Sequence, residues 1–242
     1  MNQAKGHLLY EGKAKKIFSI PGKPHEVLVE YKNSLTAFNA LKKGEFDGKG
    51  SVNRDITSLI FRHLKKHGVK THWHSDVGET EMIVEKVNII PLEVVVRNTL
   101  AGSTAKKFGI EEGKKLQKPL VEFYYKNDEL QDPFMSDDQV LMLEIATEQE
   151  IREIKLKALQ INSHLKDLFR EAGIDLVDFK IEFGKDLQGE ILLADEISPD
   201  CCRLWDLKTQ EKMDKDRFRR DLGHVKESYR QVLERLKGVK NA

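Results

Sequence analysis

The clearest alternation of apolar and polar positions in the chain lies between positions 177 and 183. Strict period-two alternation predicts a β-strand with one buried face and one face open to solvent or to a ligand. The second face carries two carboxylates and one ammonium group. The apolar set is Val177, Phe179, Ile181 and Phe183, and the charged set is Asp178, Lys180 and Glu182.

A second strand is predicted after a short break, and the two strands form a hairpin. We take Asp186–Gly189 as the hairpin loop, since it ends in glycine. This loop pairs Lys185 with Glu190 and sets Lys180 opposite Asp195. A loop one residue longer would turn Asp195 toward the apolar face, so the pattern favours the shorter loop.

In this register Glu182 and Asp195 become near neighbours on the charged face. Two carboxylates with coordination positions left for phosphate oxygens suit Mg²⁺. Lys180 beside them would neutralise a phosphate or a carboxylate of a substrate. The alternative is a solvated hairpin whose charges pair across the strands.

Apolar periodicity predicts further elements along the chain. Period-two runs predict strands, and apolar residues at spacings of three and four predict helices. Thr147 and Glu150 have the spacing of a capping box, which starts the longest helix. The predicted strands lie within 8–18, around a turn at Gly12, and at 26–31, 81–86 and 92–97. The predicted helices are 53–67, 104–108, one after 147 and one from about 216, and 109–138 is predicted to be rich in loops.

Composition narrows the function classes. The 242 residues are 39% hydrophobic and 33% charged, enough for one large domain or two small ones. Forty-one basic residues nearly cancel forty acidic ones, so no global basic field favours nucleic acid. No apolar run is long enough for a signal peptide or a membrane span. The only cysteines, Cys201 and Cys202, are adjacent, which favours a reduced cytoplasmic protein.

Two stretches in the first hundred residues suit a nucleotide. Gly12 allows close backbone approach, and Lys13 and Lys15 project from one side of the following strand, as over a triphosphate. A lysine-rich surface hairpin is the alternative. Ile89 and Ile90, before a proline, are candidates for an adenine slot or for a plain linker between lobes.

A second anion site is predicted after the strand that ends at Arg97. Gly102 and Ser103 open a short helix there, and backbone amides at a helix start bind anions. Arg97 adds a guanidinium fork that matches a phosphate monoester. An ordinary helix cap with a surface arginine is the alternative.

Taken together, four motifs in this order resemble the SAICAR synthetase family, over nearly the whole chain. An additional match is the segment Lys212–Arg219. The motifs are Tyr10–Lys15; Val95–Asn98 with Ala101–Ser103; Val177–Gly184; and Asp195–Asp200 with Arg203–Asp206.

The resemblance implies a reaction. ATP, carboxyaminoimidazole ribotide (CAIR) and L-aspartate would give ADP, phosphate and the succinocarboxamide SAICAR through an acyl phosphate. It implies an α+β fold of two lobes related to ATP-grasp enzymes, with antiparallel sheets flanked by helices. Residues 1–90 would form the lobe that covers ATP, and residues 91–242 would carry the metal and ribotide sites. A homodimer is also implied.

The resemblance assigns roles residue by residue. Asn39 stands where many relatives carry aspartate, which leaves its role open, and Gly78–Glu81 replaces the usual Ser-Asp-Thr-Glu. The implied nucleotide site is Gly12, Lys13, Lys15, Lys86 and Ile90. The implied Mg²⁺ ligands are Glu182 and Asp195; the substrate site is Arg97, Ser103, Asp200 and Arg203; and the catalytic pair is Asp178 and Lys180.

Two other functions remain open from the residues alone. A small-molecule kinase would share the glycine–lysine loop and the metal carboxylates, but its final product would be a phosphate ester. A nucleotide-binding module without catalysis would turn over no ATP. Aspartate-dependent release of ADP separates both from the ligase.

Overall fold

The computed structural model describes residues 5–37 and 41–239, so Asn39 lies outside the described residues. Within them the chain forms six α-helices, a short 3-10 helix at Asp128–Leu130 and fourteen strands. The helices are α1 Lys49–Lys66, α2 Gly102–Lys107, α3 Asp137–Met142, α4 Glu148–Glu171, α5 Asp216–Arg219 and α6 Val225–Lys237. The strands are β1 Leu8–Glu11, β2 Lys15–Ser19, β3 Glu26–Tyr31, β4 Ser34–Ala37, β5 Lys42–Glu45, β6 Trp73–Val77, β7 Glu81–Glu85, β8 Asn88–Ile89, β9 Leu92–Thr99, β10 Lys115–Tyr125, β11 Phe134–Met135, β12 Ile174–Lys185, β13 Ile191–Ala194 and β14 Cys202–Asp206.

Two antiparallel sheets organise these elements, which confirms the α+β class with antiparallel sheets and flanking helices. The first sheet has the order β1-β2-β3-β7-β6. The second has the order β11-β10-β9-β12-β13, and β14 and β8 also pair with β12. β12 therefore pairs with four strands, and most of its side chains are buried on both faces. A separate hairpin joins β4 and β5.

The main hydrophobic core lies against the second sheet. α4 packs on β9, β10 and β12, and α1 packs on α6 as well as on β3 of the first sheet. The apolar residues of α4 recur at three and four positions and are completely or almost completely buried. Burying each leucine or isoleucine contributes about 1.5–3 kcal/mol. The buried apolar residues of α4 are Ile151, Ile154, Ala158, Ile161, Leu165, Leu168 and Phe169.

The start of α4 confirms the predicted capping box. The Thr147 amide donates to Glu150 Oε2 at 2.9 Å, and the Glu150 amide donates to Thr147 Oγ1 at 3.3 Å. These two bonds satisfy amides that the first turn of a helix leaves without partners.

The hairpin register differs by one residue from the prediction. Lys185 pairs with Ile191 rather than with Glu190, so the loop is one residue longer. By simple alternation this register would send Asp195 to the apolar face. Asp195 instead follows the end of β13 and has a positive φ of 62°, a conformation that aspartate adopts more readily than most residues. The chain therefore turns at Asp195 and returns its carboxylate to the polar side.

The prediction of one continuous helix at the end of the chain is wrong. It is split into α5 and α6 by a bend in which Asp221, Gly223 and His224 all have positive φ angles. Leu222 is 45% exposed, although the periodicity placed it on the buried face. Three left-handed residues within four positions are incompatible with a continuous right-handed helix.

The region predicted to be rich in loops contains an eleven-residue strand, β10. Most of its side chains are exposed over the first half, so hydrophobic alternation is weak there. Pairing with β9, rather than local pattern, holds the strand in place. No helix among the described residues is both long and apolar enough to cross a membrane. The division of the chain at residue 90 stays a prediction.

Candidate active site

A cleft of about 1100 Å³ opens between the two sheets. Its walls come from the β1–β2 turn, from β3 and the segment after β7, and from β9, β12 and the chain that follows β13. Eleven of the residues assigned to the site from the sequence line this cleft. They are Gly12, Lys13, Lys15, Lys86, Arg97, Asp178, Lys180, Glu182, Asp195, Asp200 and Arg203.

One end of the cleft holds a group that we call the lysine cluster: Lys15, Lys126, Lys180, Glu182 and Asp195. Glu182 Oε1 accepts from Lys126 Nζ at 2.8 Å and from Lys180 Nζ at 3.2 Å. Lys15 Nζ forms an ion pair with Asp195. The predicted proximity of Glu182, Lys180 and Asp195 to one another is therefore present, although the register that suggested it is not.

Charge compensation keeps this cluster ionised despite its burial. Burial alone would lower the pKa of Lys180, but Glu182 and its second partner Glu93 hold that pKa well above the usual value. Glu93 Oε1 lies 2.7 Å from Lys180 Nζ. Burial would raise the pKa of Asp195, yet Lys15 and Lys180 hold it well below its usual range. At neutral pH Lys180 and Asp195 are therefore both charged.

The donor chemistry of this end fits Mg²⁺. Glu182 and Asp195 supply two carboxylates. The next residue, Glu196, has a buried Oε2 with no hydrogen-bond partner among residues 5–37 and 41–239. Among the described residues no group of three histidine, cysteine or acidic side chains is placed to hold a metal. Mg²⁺ is commonly held by one or two carboxylates together with substrate phosphates, so this pair is sufficient when a nucleotide supplies the remaining oxygens.

The other end of the cleft holds the arginine cluster: Arg97, Glu122, Asp178, Arg203 and Asp216. Arg97 donates from Nε to Glu122 Oε2 at 2.6 Å and from Nη1 to Asp178 Oδ2 at 2.9 Å. Arg203 donates from Nη1 to Asp178 Oδ2 at 2.9 Å and from Nε to Asp216 Oδ2 at 3.0 Å. Burial opposes both arginine charges, but the adjoining carboxylates raise the pKa of each. Both guanidinium groups remain charged and fixed in direction.

The backbone beside Arg203 is shaped by a glycine. Gly102 has a φ of 60°, and a Cβ atom built there would lie 2.8 Å from Arg203 Cζ. Glycine is therefore needed both for its conformation and for the space that Arg203 occupies. Ser103, the next residue, is exposed at the first turn of α2 and is not one of the residues that line the cleft.

Of the two isoleucines predicted as candidates for an adenine slot, Ile89 lines the cleft and Ile90 does not. Ile90 is 4% exposed, belongs to the main core, and donates its amide to the Phe183 carbonyl at 2.9 Å. Ile89 is 41% exposed and lines the cleft together with Val87. The structure thus places Ile90 behind the wall and Ile89 on its surface.

Asp200 lines the cleft but is engaged from within the protein. Its carboxylate accepts from Tyr229 Oη at 2.7 Å and from Asn53 Nδ2 at 2.9 Å, and it pairs with Lys49. Lys49 is 1% exposed, and such a lysine is stable only with a close anion. Asp200 therefore fixes α1 and α6 to this wall of the cleft.

Several members of the two clusters were not found by sequence reasoning. Lys126 follows β10, the strand that the pattern missed, and Glu122 lies inside it. Glu93 alternates with apolar neighbours on β9, so its period-two position was the one available signal. Glu196 follows Asp195 directly, and alternation would have put the two side chains on opposite faces.

The fold places a cleft lined by cations and carboxylates between two antiparallel sheets, an arrangement that suits an enzyme acting on anionic substrates. The family model described as SAICAR synthetase matches residues 8–236. A phosphoribosylaminoimidazole-succinocarboxamide synthase of Lysinibacillus sphaericus is 54% identical over 97% of this chain and 99% of its own length.

Solved structures agree with the sequence match. The synthase of that name from Ehrlichia chaffeensis has a TM-score of 0.93 and 47% identity, covering 96% of this chain and 98% of its own. A SAICAR synthetase solved in complex with ADP has a TM-score of 0.91 and 48% identity, covering 95% of this chain and 97% of its own. The chain belongs to the SAICAR synthetase family. It is an ATP-dependent ligase of purine biosynthesis, which confirms the function expected from the resemblance.

Proposed function

We propose that the cleft joins L-aspartate to the carboxylate of CAIR, with ATP bound at the lysine cluster and the ribotide at the arginine cluster. Gly12, Lys13, Lys15 and Lys86 would hold the ATP phosphates, with Ile89 rather than Ile90 facing the adenine. Arg97 and Arg203 would bind the ribotide phosphate. Asp200 would contact another part of the ribotide, and Ser103, which does not line the cleft in this structure, stays a candidate contact.

One observation carries this proposal: a single face of β12 joins the two clusters. Asp178 belongs to the arginine cluster, while Lys180 and Glu182 belong to the lysine cluster. Alternate residues of a strand lie about 6.6–6.8 Å apart on one face. The row of side chains from Asp178 to Glu182 therefore reaches from the arginine cluster to the lysine cluster. This distance is comparable to that between a bound ribotide and the terminal phosphate of a nucleotide bound beside it.

The chemistry explains why both clusters are needed. A carboxylate does not condense with an amine in water, because its oxygen is a poor leaving group. Transfer of the γ-phosphoryl group to a CAIR carboxylate oxygen makes an acyl phosphate, and the aspartate amine then displaces phosphate. Bringing two anions together requires fixed positive charge, which Lys15, Lys126 and Lys180 supply.

The carboxylates have separate roles in this scheme. Glu182 and Asp195 would hold Mg²⁺, which when bound neutralises charge on the phosphates. Asp178 accepts hydrogen bonds from Arg97 and Arg203 in this structure, so its oxygens are occupied in that state. When the ribotide phosphate takes over the two arginines, Asp178 is released to accept the proton of the aspartate amine.

Two linked assays test the proposal. Release of ADP is measured with ATP, CAIR and L-aspartate together and with each omitted in turn, and full turnover is expected only with all three. The CAIR carboxylate is then labelled with heavy oxygen. One labelled oxygen is expected in the released phosphate. Formation of SAICAR with unlabelled phosphate would exclude the acyl phosphate route.

The proposal extends to the state of the protein in the cell. We place it in the cytoplasm as a homodimer with small-molecule substrates, with a lobe of residues 1–90 over ATP and a lobe of residues 91–242. The near balance of 41 basic and 40 acidic residues supports the absence of a nucleic-acid partner. Light scattering of the purified protein tests the dimer, and a monomer mass at working concentration would contradict it.

A further inference from the structure

In the segment Lys212–Arg219, which lies against the cleft, only Asp216 has been given a role so far, as a member of the arginine cluster. It connects β14 to the end of α5. Two of its side chains, Lys215 and Arg219, line the cleft. A third, Asp216, accepts from Arg203 Nε at 3.0 Å and from Arg219 Nη1 at 2.6 Å. The segment therefore places two further cations beside the arginine cluster.

Lys215 differs from the other cations around it. Lys15 and Lys180 each form an ion pair within the protein. The ammonium group of Lys215 forms no salt bridge with any residue in the described parts of the chain. Burial lowers its pKa, and the nearest compensating charge is that of Asp200, which is already bonded to Lys49 and Tyr229. Lys215 is partly buried, and a partly buried cation without an ion-pair partner is stabilised by an incoming anion.

Arg219 adds a second positive charge near Lys215, one helical turn further along the chain. Its Nη1 atom is held by Asp216, which also holds Arg203 on its other oxygen. Asp216 therefore sets the distance between the ribotide end of the cleft and the Lys215–Arg219 pair. The electrostatic repulsion between Lys215 and Arg219 contributes to the lowered pKa of Lys215, so the two positive charges lie near each other in the cleft.

The charges of the three substrates indicate which anion is missing from the cleft as described. The ATP phosphates are assigned to the lysine cluster and the ribotide phosphate to Arg97 and Arg203. L-Aspartate brings two carboxylates, and neither has a cation so far. We propose that Lys215 and Arg219 form the subsite for a carboxylate of L-aspartate, an inference that rests on the ligase function proposed above.

Steady-state kinetics of Lys215→Gln test the subsite. We expect the KM for L-aspartate to rise about 10- to 100-fold, because one charge-assisted hydrogen bond is lost. The KM values for ATP and CAIR are expected to change less than twofold. Lys215→Arg keeps the charge and is expected to recover most of the affinity. Lys208→Gln removes an exposed cation from the same region and serves as the matched control.

A substrate analogue gives a second readout that does not depend on reaction of the ligand at the subsite. Succinate keeps the two carboxylates of aspartate and lacks the amine, so it competes for the subsite without reacting. Its inhibition constant against L-aspartate is expected to rise in Lys215→Gln by the same factor as the KM. Thermal unfolding of each variant verifies that the fold is retained.

The outcomes separate this inference from the ligase proposal. Wild-type protein that releases no ADP in response to L-aspartate would overturn the ligase proposal itself. If wild type responds but Lys215→Gln keeps its KM for aspartate, only the subsite is wrong. A rise confined to CAIR would assign Lys215 to the ribotide phosphate, and a rise confined to ATP would assign it to the nucleotide. Either result would overturn the aspartate assignment.

Discussion

Both ends of the cleft pair carboxylates with cations, but the cations and their exposure to water differ. In the lysine cluster the carboxylates are met by ammonium groups, and the side chains of Lys126 and Lys180 are 40% and 28% exposed. In the arginine cluster the carboxylates are met by guanidinium forks, and Arg97 and Asp178 are each 5% exposed. One end is partly open to water, while the other is almost completely enclosed.

This difference follows from the chemistry of the two cations. An ammonium group on a flexible stem is a point charge that turns from one oxygen to another at little energetic cost. A guanidinium held at two nitrogens keeps one direction. The lysine end therefore suits phosphoryl transfer, in which charge moves during the reaction. The arginine end suits a group that binds and does not react, such as the ribotide phosphate.

The largest expected effect is at the lysine end. Glu182→Gln or Asp195→Asn should lower turnover by at least about 100- to 1000-fold, the range found when one preorganised charged contact is removed from an active site. The fold should persist, because the lysines left behind are partly exposed and asparagine tolerates the positive φ at position 195. ADP release and circular dichroism measure the two effects. Glu190→Gln, on the same hairpin, is the control, and near-normal turnover of both variants would remove the metal assignment.

A smaller effect is expected at the arginine end. Arg97→Lys keeps the charge but loses the fork, so binding of CAIR should weaken by about 1.5–3 kcal/mol. Titration calorimetry with CAIR and with ATP should show the loss for CAIR alone. Arg152→Lys, an exposed substitution on α4, is the control for general effects. Weaker ATP binding with unchanged CAIR binding would move Arg97 to the nucleotide site.

The pH dependence of stability reports on the buried carboxyl of Asp214, which lies beside Asp216 of the arginine cluster. Burial, followed by the nearby charge of Asp216, raises the pKa of Asp214 to about 7. Because the folded pKa lies above the unfolded one, the folded state holds the proton longer, and its stability declines as pH rises from about 4 to about 7. Asp214→Asn should flatten this decline by at most about 1.4 kcal/mol per pH unit. Urea unfolding between pH 5 and 8 measures the slope, and the exposed Asp138→Asn should keep the slope of wild type.

The smallest expected effect concerns the apolar wall of the nucleotide site. Ile89→Ala should raise the KM for ATP only a few-fold, since it removes an apolar contact that is already half exposed and worth about 1 kcal/mol. Ile90→Ala should leave that KM nearly unchanged in the folded enzyme and act on thermal stability instead. A larger change in the ATP KM for Ile90→Ala than for Ile89→Ala would reverse the assignment of the two residues.

The sequence predicted the elements whose signals are local. Thr147 and Glu150 predict the start of α4, because all parts of a capping box lie within four residues. The strand at Glu26–Tyr31 has its predicted bounds, since its apolar run is bordered by polar residues. The charged face of β12 was likewise visible, because Asp178, Lys180 and Glu182 alternate with apolar residues.

What the sequence could not predict depends on neighbours distant in the chain. β10 owes its place to pairing with β9, and its own pattern is too polar to reveal it. Lys126 reaches Glu182 across 56 positions of sequence. The hairpin register failed because periodicity assumes an extended backbone, and Asp195 is not extended. Eleven of the residues assigned by resemblance line the cleft, while Ile90 and Ser103 do not, and the partners of the site residues required the structure.

The enzyme is sensitive to substitution at Gly102, although this residue has no side chain and contributes no polar group to the site. Alanine there would be strained at a φ of 60° and would collide with Arg203, although it changes no charge and no hydrogen-bonding group. A single methyl group would thereby tilt a guanidinium that Asp178 and Asp216 hold from two sides. Substitution at this position is opposed by the backbone conformation and by the lack of space beside Arg203. A genetic screen for lost ribotide binding should therefore recover Gly102 variants alongside those of the arginines.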